Sequence, residues 1–284
     1  MTEKYGKKDL IETRLSVLTW NIWWRYGPWE QRQPAIAATL KKLDADIIAL
    51  QEVWGDETTN QAAELATELG YHYIFAPAID IGETVLDHNF GKSLSFGNAL
   101  LSRWPIKQHD SIPLCGKRET GESRNALFAE IDGPRGLIPA FSTHLNWKYE
   151  HSHIRQLQVT DLAHFVKRMQ PWSFPPIVCG DFNAEPSSEE IRKLKGLTTC
   201  PAEGLFFHDA WAASGGVGPG NTWDNNNPYA VVELEPDRRL DYVLVGLPLD
   251  RGAGHIVDCK VTGNIPVDNV WPSDHYAVLA ELRY

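Results

Sequence analysis

Apolar residues recur along this chain with two different periods. Short, mostly apolar runs bounded by turn residues occupy 15–22, 46–53, 71–76, 97–102, 125–131, 137–145, 176–182, 239–245 and 275–283, and each predicts a strand. In 31–43, 57–69, 153–169 and 187–195 the apolar positions return every three to four residues, as Ile36, Leu40 and Leu43 do, and these segments predict amphipathic helices. Strands interleaved with helices predict a layered α/β domain, and the adjacent strands between 97 and 145 predict hairpins, hence a mixed sheet. The irregular stretches 77–96, 113–123, 146–152 and 215–238 are long enough to be functional loops. No linker, repeat or low-complexity tract divides the chain. It is expected to form one domain over residues 1–284, with 1–14 as a flexible N-terminal extension.

Several strands run into polar residues where they end: Asn21, Gln51 and Glu52, His144, Asp181 to Asn183, and Asp241. Ligands gather at such ends in layered α/β domains, so these residues are expected to converge. Asn21, inside LSVLTWNIWW, needs partners for a carbonyl oxygen and two N–H donors, which neighbouring backbone can also supply. Glu52 closes an apolar strand, and a carboxylate there calls for an arginine, a surface position or a metal ion. In GDFN, Gly180 permits close backbone approach, and Asp181 and Asn183 alternate, so an extended backbone aims both to one side; the same residues also read as an ordinary strand-ending turn.

In SDH, Asp274 and His275 are adjacent, so both serve one site only at a bend, which Trp271-Pro272-Ser273 can provide. Asp274 suits a hard cation such as Mg²⁺, and His275 suits acid–base work or hydrogen bonding. Asp241, within RLDYVLV, needs a buried partner such as an imidazole N–H. His144 can donate to a phosphate oxygen or be structural. His151 and His153 read as solvated, with no third soft ligand nearby. Arg124, Arg238 and Arg239 read equally as phosphate contacts or salt-bridge partners, and the loop tryptophans as rim packing or stacking platforms.

Composition narrows the classes. With 43% hydrophobic residues among 284, the chain can bury a large core, and it has no apolar run of about 18 residues to span a membrane. Its polar N-terminus lacks a secretory signal, and its four cysteines are scattered without a C-x-x-C pair, so a cytoplasmic setting is expected. The formal charge of −10 opposes broad attraction to nucleic acid.

Taken in order, TWN, QEV, STHL, GDFN, RLDYVLV and SDH resemble the endonuclease/exonuclease/phosphatase superfamily over residues 15 to 284. The resemblance implies a four-layered α/β sandwich with two central mixed β-sheets flanked by helices, and a Mg²⁺- or Mn²⁺-dependent hydrolase of phosphate esters. It implies a metal site of Asn21, Glu52 and Asp274. It further implies that Asp181 orients or deprotonates the attacking water, that Asn183 holds it or a phosphate oxygen, that Asp241 and His275 form a carboxylate–histidine pair polarising the phosphate or steering the nucleophile, and that His144 stabilises the transition state or protonates the leaving oxygen. Where apurinic endonucleases carry an acidic residue two positions after the asparagine, this sequence has Trp23, so the resemblance does not extend to a second metal there. The loops lack a basic stripe, which favours a small or lipid-linked phosphodiester, or a phosphomonoester, over nucleic acid. A nuclease is the runner-up, followed by a non-catalytic binding module of the same fold and a purely structural α/β domain. Oligomeric state is left open.

Overall fold

The computed structural model describes residues 9–80 and 93–284. Residues 1–8 of the expected N-terminal extension and 81–92 of the expected 77–96 loop lie outside the described residues. The chain runs β1 (Arg14–Asn21), α1 (Trp29–Leu43), β2 (Ile47–Gly55), α2 (Gln61–Leu69), β3 (His72–Ile79), β4 (Ser95–Ser102), β5 (Ile106–Leu114), α3 (Lys117–Thr120), β6 (Arg124–Gly133) and β7 (Gly136–His144). It continues through α4 (Ser152–Arg168), β8 (Ile177–Asp181), α5 (Glu189–Leu194), β9 (His208–Asp209), α6 (Ala210–Ala213), β10 (Asp241–Val245), β11 (Ile256–Thr262) and β12 (Ala277–Arg283).

The strands form two six-stranded sheets, ordered β11-β12-β1-β2-β4-β3 and β5-β6-β7-β8-β10-β9. Each sheet is mixed, with one parallel pair at its centre: β1 beside β2 in the first and β7 beside β8 in the second. Alternation within a strand divides its side chains between layers. Leu15 and Val17 of β1 and Ile47 and Ala49 of β2 join Leu127, Ile138 and Ile177 of the second sheet in the core between the sheets. Leu18, Trp20, Ile48 and Leu50 face the other way and pack on Ile36 and Leu40 of α1 and Leu65 of α2. The outer face of the second sheet, including Phe128, Phe141 and Val178, packs on Val159, Leu162 and Phe165 of α4. The result is the expected sandwich of four layers.

Three strands were not evident from the pattern. β5 (IKQHDSIPL) is an edge strand with most of its residues exposed, so it shows no apolar period. β11 is the opposite edge of the first sheet, and β9 is only two residues long. The expected helix over 57–69 begins at Gln61, because Asn60 caps it by accepting from Ala63 N and residues 56–59 form a turn closed by Asp56. Two four-residue helices, α3 and α6, interrupt stretches expected to be irregular or left unassigned. Among the described residues no helix is long and apolar enough to cross a membrane.

Candidate active site

Both central parallel pairs end at the same edge of the sandwich. In the first sheet Asn21 lies opposite Gln51, and in the second His144 lies opposite Asp181. β10 runs antiparallel to β8 and begins where β8 ends, so Asp241 also faces Asp181. Gly180 is required for this crowding: a Cβ there would lie 2.2 Å from the Thr143 carbonyl oxygen.

Asn21 is buried and bridges the two sheets. Its Nδ2 donates to Glu52 Oε1 and to Asp181 Oδ2, each at 3.0 Å, while its Oδ1 accepts from Trp23 N at 3.0 Å. Because a backbone N–H can only donate, that third bond fixes which end of the amide meets the carboxylates. Asn21 therefore faces the site with donors rather than with the oxygen that direct ligation of a metal needs.

Glu52 reaches the site through an irregularity. Its φ is 54°, left-handed for a residue with a Cβ and worth roughly 1–3 kcal/mol of strain, and the pairing of β2 with β4 slips between Leu50 and Val53. Its second oxygen, Oε2, is buried and has no hydrogen-bond partner among the described residues. Burial, followed by repulsion from Asp274, pushes its pKa up to about 7. Asp274 is pushed up to about 6, chiefly by burial.

Asp274 and His275 sit in the bend before β12, which lets both side chains enter one cavity. The Asp274 bend is tied down by Ser273, whose Oγ donates to Asn21 O at 2.7 Å, and by Asn227, whose Nδ2 donates to the Ser273 and Asp274 carbonyls. His275 Nδ1 lies 2.9 Å from Asp241 Oδ2, and Nε2 lies 3.7 Å from Asp181 Oδ2. Burial alone would lower the His275 pKa, but Asp241 and Asp181 outweigh it and hold the ring well above the usual histidine range. Asp241 itself rises to about 6 through burial. Asp181, Asp241 and His275 are close enough to cage a cation, yet the short Nδ1 contact already uses the His275–Asp241 pair as a hydrogen bond. The donor set that suits a hard cation is the carboxyl pair of Glu52 and Asp274, oxygen ligands at one end of the cavity, with Glu52 Oε2 unpaired among the described residues.

Asn183 does not continue the strand as alternation implied. β8 stops at Asp181, and Asn183 takes a left-handed conformation (φ 49°), which asparagine tolerates better than most residues. The turn, closed by Asn183 N donating to Asp181 Oδ1, still brings the amide 3.0 Å from His144 Nε2. His144 Nε2 is also 3.5 Å from Asp181 Oδ2, and its Nδ1 is 3.1 Å from Arg124 Nη1. Arg124 in turn donates to Glu122 Oε2, which also accepts from Asn146 Nδ2 at 2.9 Å, while Trp147 Nε1 donates to Glu122 Oε1 at 2.6 Å.

Six of the eight expected site residues (Glu52, His144, Asp181, Asn183, Asp274 and His275) line one cavity of about 320 Å³, and Asn21 and Asp241 stand directly behind them. Its walls are aromatic: Trp23, Tyr26, Phe96, Trp147 and Trp223, the last packed edge-on against His275 at 5.1 Å. The tryptophan-rich turn after Asn21 is moulded on Arg32 of α1. That fully buried guanidinium donates to the carbonyls of Ile22, Trp23, Trp24, Tyr26 and Pro272, and burial lowers its pKa to about 10. Glu122 and Arg32 carried no signal in the sequence, since each is defined by contacts distant along the chain. Arg124, Arg238 and Arg239 have carboxylate partners, with Arg239 held in a two-pronged pair by Asp209 at 2.7 and 3.0 Å and Arg238 by Glu235. His151 is engaged by Asn146, and its ring sits 5.9 Å from that of His153.

Residues 18–275 match the family model described as Endonuclease/Exonuclease/phosphatase family. A putative neutral sphingomyelinase of Drosophila melanogaster is 24% identical over 302 residues, covering 96% of this chain and 62% of that protein. Nocturnin of Xenopus laevis is 24% identical over 283 residues, covering 90% of this chain and 65% of its own length. The chain thus spans less than two thirds of these curated relatives. Among solved structures, truncated Caenorhabditis elegans TDP2 superposes with a TM-score of 0.70 at 21% identity, covering 98% of this chain and 100% of that one. The likeness establishes that the two share a fold.

Proposed function

The chain belongs to the Endonuclease/Exonuclease/phosphatase family, and on that premise we propose that it is a divalent-metal-dependent phosphoesterase that hydrolyses a phosphodiester, small or lipid-linked, or a phosphomonoester by in-line attack of water. One observation carries this reading: the carboxyls of Glu52 and Asp274, the first with an oxygen unpaired among the described residues, crowd the end of a cavity that also holds two histidines. Carboxylates so arranged repel one another and an anionic ester unless a cation joins them.

Glu52 and Asp274 would hold Mg²⁺ or Mn²⁺, with Asn21 fixing Glu52 against Asp181. A cation there supplies charge neutralisation at the phosphoryl and leaving oxygens. Asp181 Oδ2 faces the cavity between Asn21 and the two histidines and takes the proton of the attacking water. Asn183 holds that water or a phosphoryl oxygen. His275, kept charged by Asp241, polarises the phosphate, and His144, whose Nδ1 accepts from Arg124 and so leaves the ring proton on Nε2, donates to the oxygen that gains charge in the transition state.

For the substrate, the wall is informative. Both arginines lining the cavity are engaged, Arg124 by Glu122 and Arg238 by Glu235, and Glu233 adds a further negative charge. A rim of this kind favours a substrate presenting one phosphate beside apolar or aromatic-binding groups over a long polyanion. Hydrolysis of bis-p-nitrophenyl phosphate in Mg²⁺ or Mn²⁺ tests the reading. Activity that vanishes in excess chelator and returns with metal is expected, and undiminished hydrolysis in chelator refutes it. Cleavage of supercoiled plasmid at low enzyme concentration would favour a nuclease instead.

A further inference from the structure

We infer that Gln51 is the positioning residue for Glu52, acting through a hydrogen-bond bridge between the two sheets. The inference rests on the proposed role of Glu52 as a metal ligand. Alternation along β2 is unambiguous up to this point: Ile47 and Ala49 face the core between the sheets, and Ile48 and Leu50 face the helices. Gln51 keeps to the pattern and points between the sheets, where its Nε2 donates to Ser142 Oγ at 3.1 Å and its Oε1 accepts from Thr19 Oγ1 at 3.3 Å. The next residue should face the helices. Instead Val53 occupies the helix-side core, and Glu52 is the extra residue of a bulge, turned by its left-handed φ of 54° so that its carboxyl meets Asn21 in the site.

A left-handed residue with a Cβ persists only where its surroundings over-determine it. The Thr19–Gln51–Ser142 bridge supplies the constraint on its N-terminal side. Gln51 is fully buried, and its side chain ties β2 to β1 in its own sheet and to β7 across the core. Ser142 lies two residues before His144 on β7, so the bridge also fixes the spacing between the halves of the site that come from the two sheets. On the other side, Ile22 N donates to Gln51 O and Trp24 N to Glu52 O, closing the bulge onto the turn after β1. Releasing the bridge leaves the bulge free to slide by one residue, which returns Glu52 to the helix side and removes its carboxyl from the cation site.

The test uses Gln51→Leu and Ser142→Ala. The second removes a single hydroxyl, so it remains informative where the first unfolds. Mn²⁺ affinity, measured by electron paramagnetic resonance on metal-stripped protein, is expected to weaken about 10- to 100-fold in both variants. Tyr71→Phe, which deletes a hydrogen bond to Ala45 O remote from the site, controls for general destabilisation and is expected to bind Mn²⁺ as wild type does. Crystal structures of the two variants decide the inference independently of metal. Glu52 moved to an extended backbone supports it, and Glu52 keeping its left-handed backbone in both overturns it. Wild-type protein that binds no Mn²⁺ would refute the metal-site reading, while the crystallographic comparison would still decide the role of Gln51.

Discussion

The charge crowded at the cavity end should make this protein's stability depend on pH and metal together. In the folded state without metal, Glu52 is pushed from an ordinary value of 4.5 to about 7, and Asp274 from 3.8 to about 6. Asp241 rises to about 6, and His275 lies well above its ordinary value. All four shifts have the same sign: the folded protein binds more protons than the unfolded chain. Stability from these groups therefore falls as pH rises, beginning near 4 for the carboxyls and extending past 7 for Glu52 and His275. At ~1.4 kcal/mol for each tenfold change in proton affinity, the carboxyl pair alone corresponds to a penalty on the order of a few kcal/mol by pH 8. A cation removes that penalty by replacing the protons. The assay is thermal unfolding with chelator and with millimolar Mn²⁺ from pH 5 to pH 8. With chelator, the midpoint should fall by roughly 5 °C or more over that range. The gain on adding Mn²⁺ should be small at pH 5 and grow steadily above pH 6. A metal-induced gain that is the same at pH 5 and pH 8, or a chelated protein whose midpoint is flat across the range, would refute the assignment of these carboxyls as the cation site.

Two further outcomes follow from the same geometry. Asp181→Asn should still fold, since the amide oxygen can accept from Asn183 N at the cost of the single bond from Asn21 Nδ2, but should lower turnover of bis-p-nitrophenyl phosphate about 100-fold or more; turnover within a few-fold of wild type in a folded variant would remove Asp181 from the role of base. Arg32→Met should cost roughly 3–5 kcal/mol in urea unfolding, because it strands buried carbonyls in the turn that carries Trp23 and Tyr26, and a cost below about 1 kcal/mol would contradict that account.

The sequence by itself determined the layer architecture and most of the polar roster. Alternating and helical periods are local, so strands buried on both faces, such as β1, β2 and β8, and the helices α1 and α4 that cover them declared themselves directly. A polar residue interrupting such a run is conspicuous for the same reason, which is why Asn21, Glu52, Asp181 and Asp241 stood out. Edge strands escaped notice because they need little burial, and β5 exposes most of its side chains to water. Only the tertiary structure decided how the polar residues are used. The amide of Asn21 is oriented by Trp23 N, and Asn183 reaches the cavity by a left-handed turn rather than by strand alternation. Glu122, Arg124 and Trp147 join His144 through contacts spanning up to 25 positions of chain, and Arg32 organises a turn that precedes it in the chain and to which no motif links it. The one-residue bulge that swings Glu52 from the helix layer into the site leaves no periodic trace, because it breaks the period on which reading a strand depends.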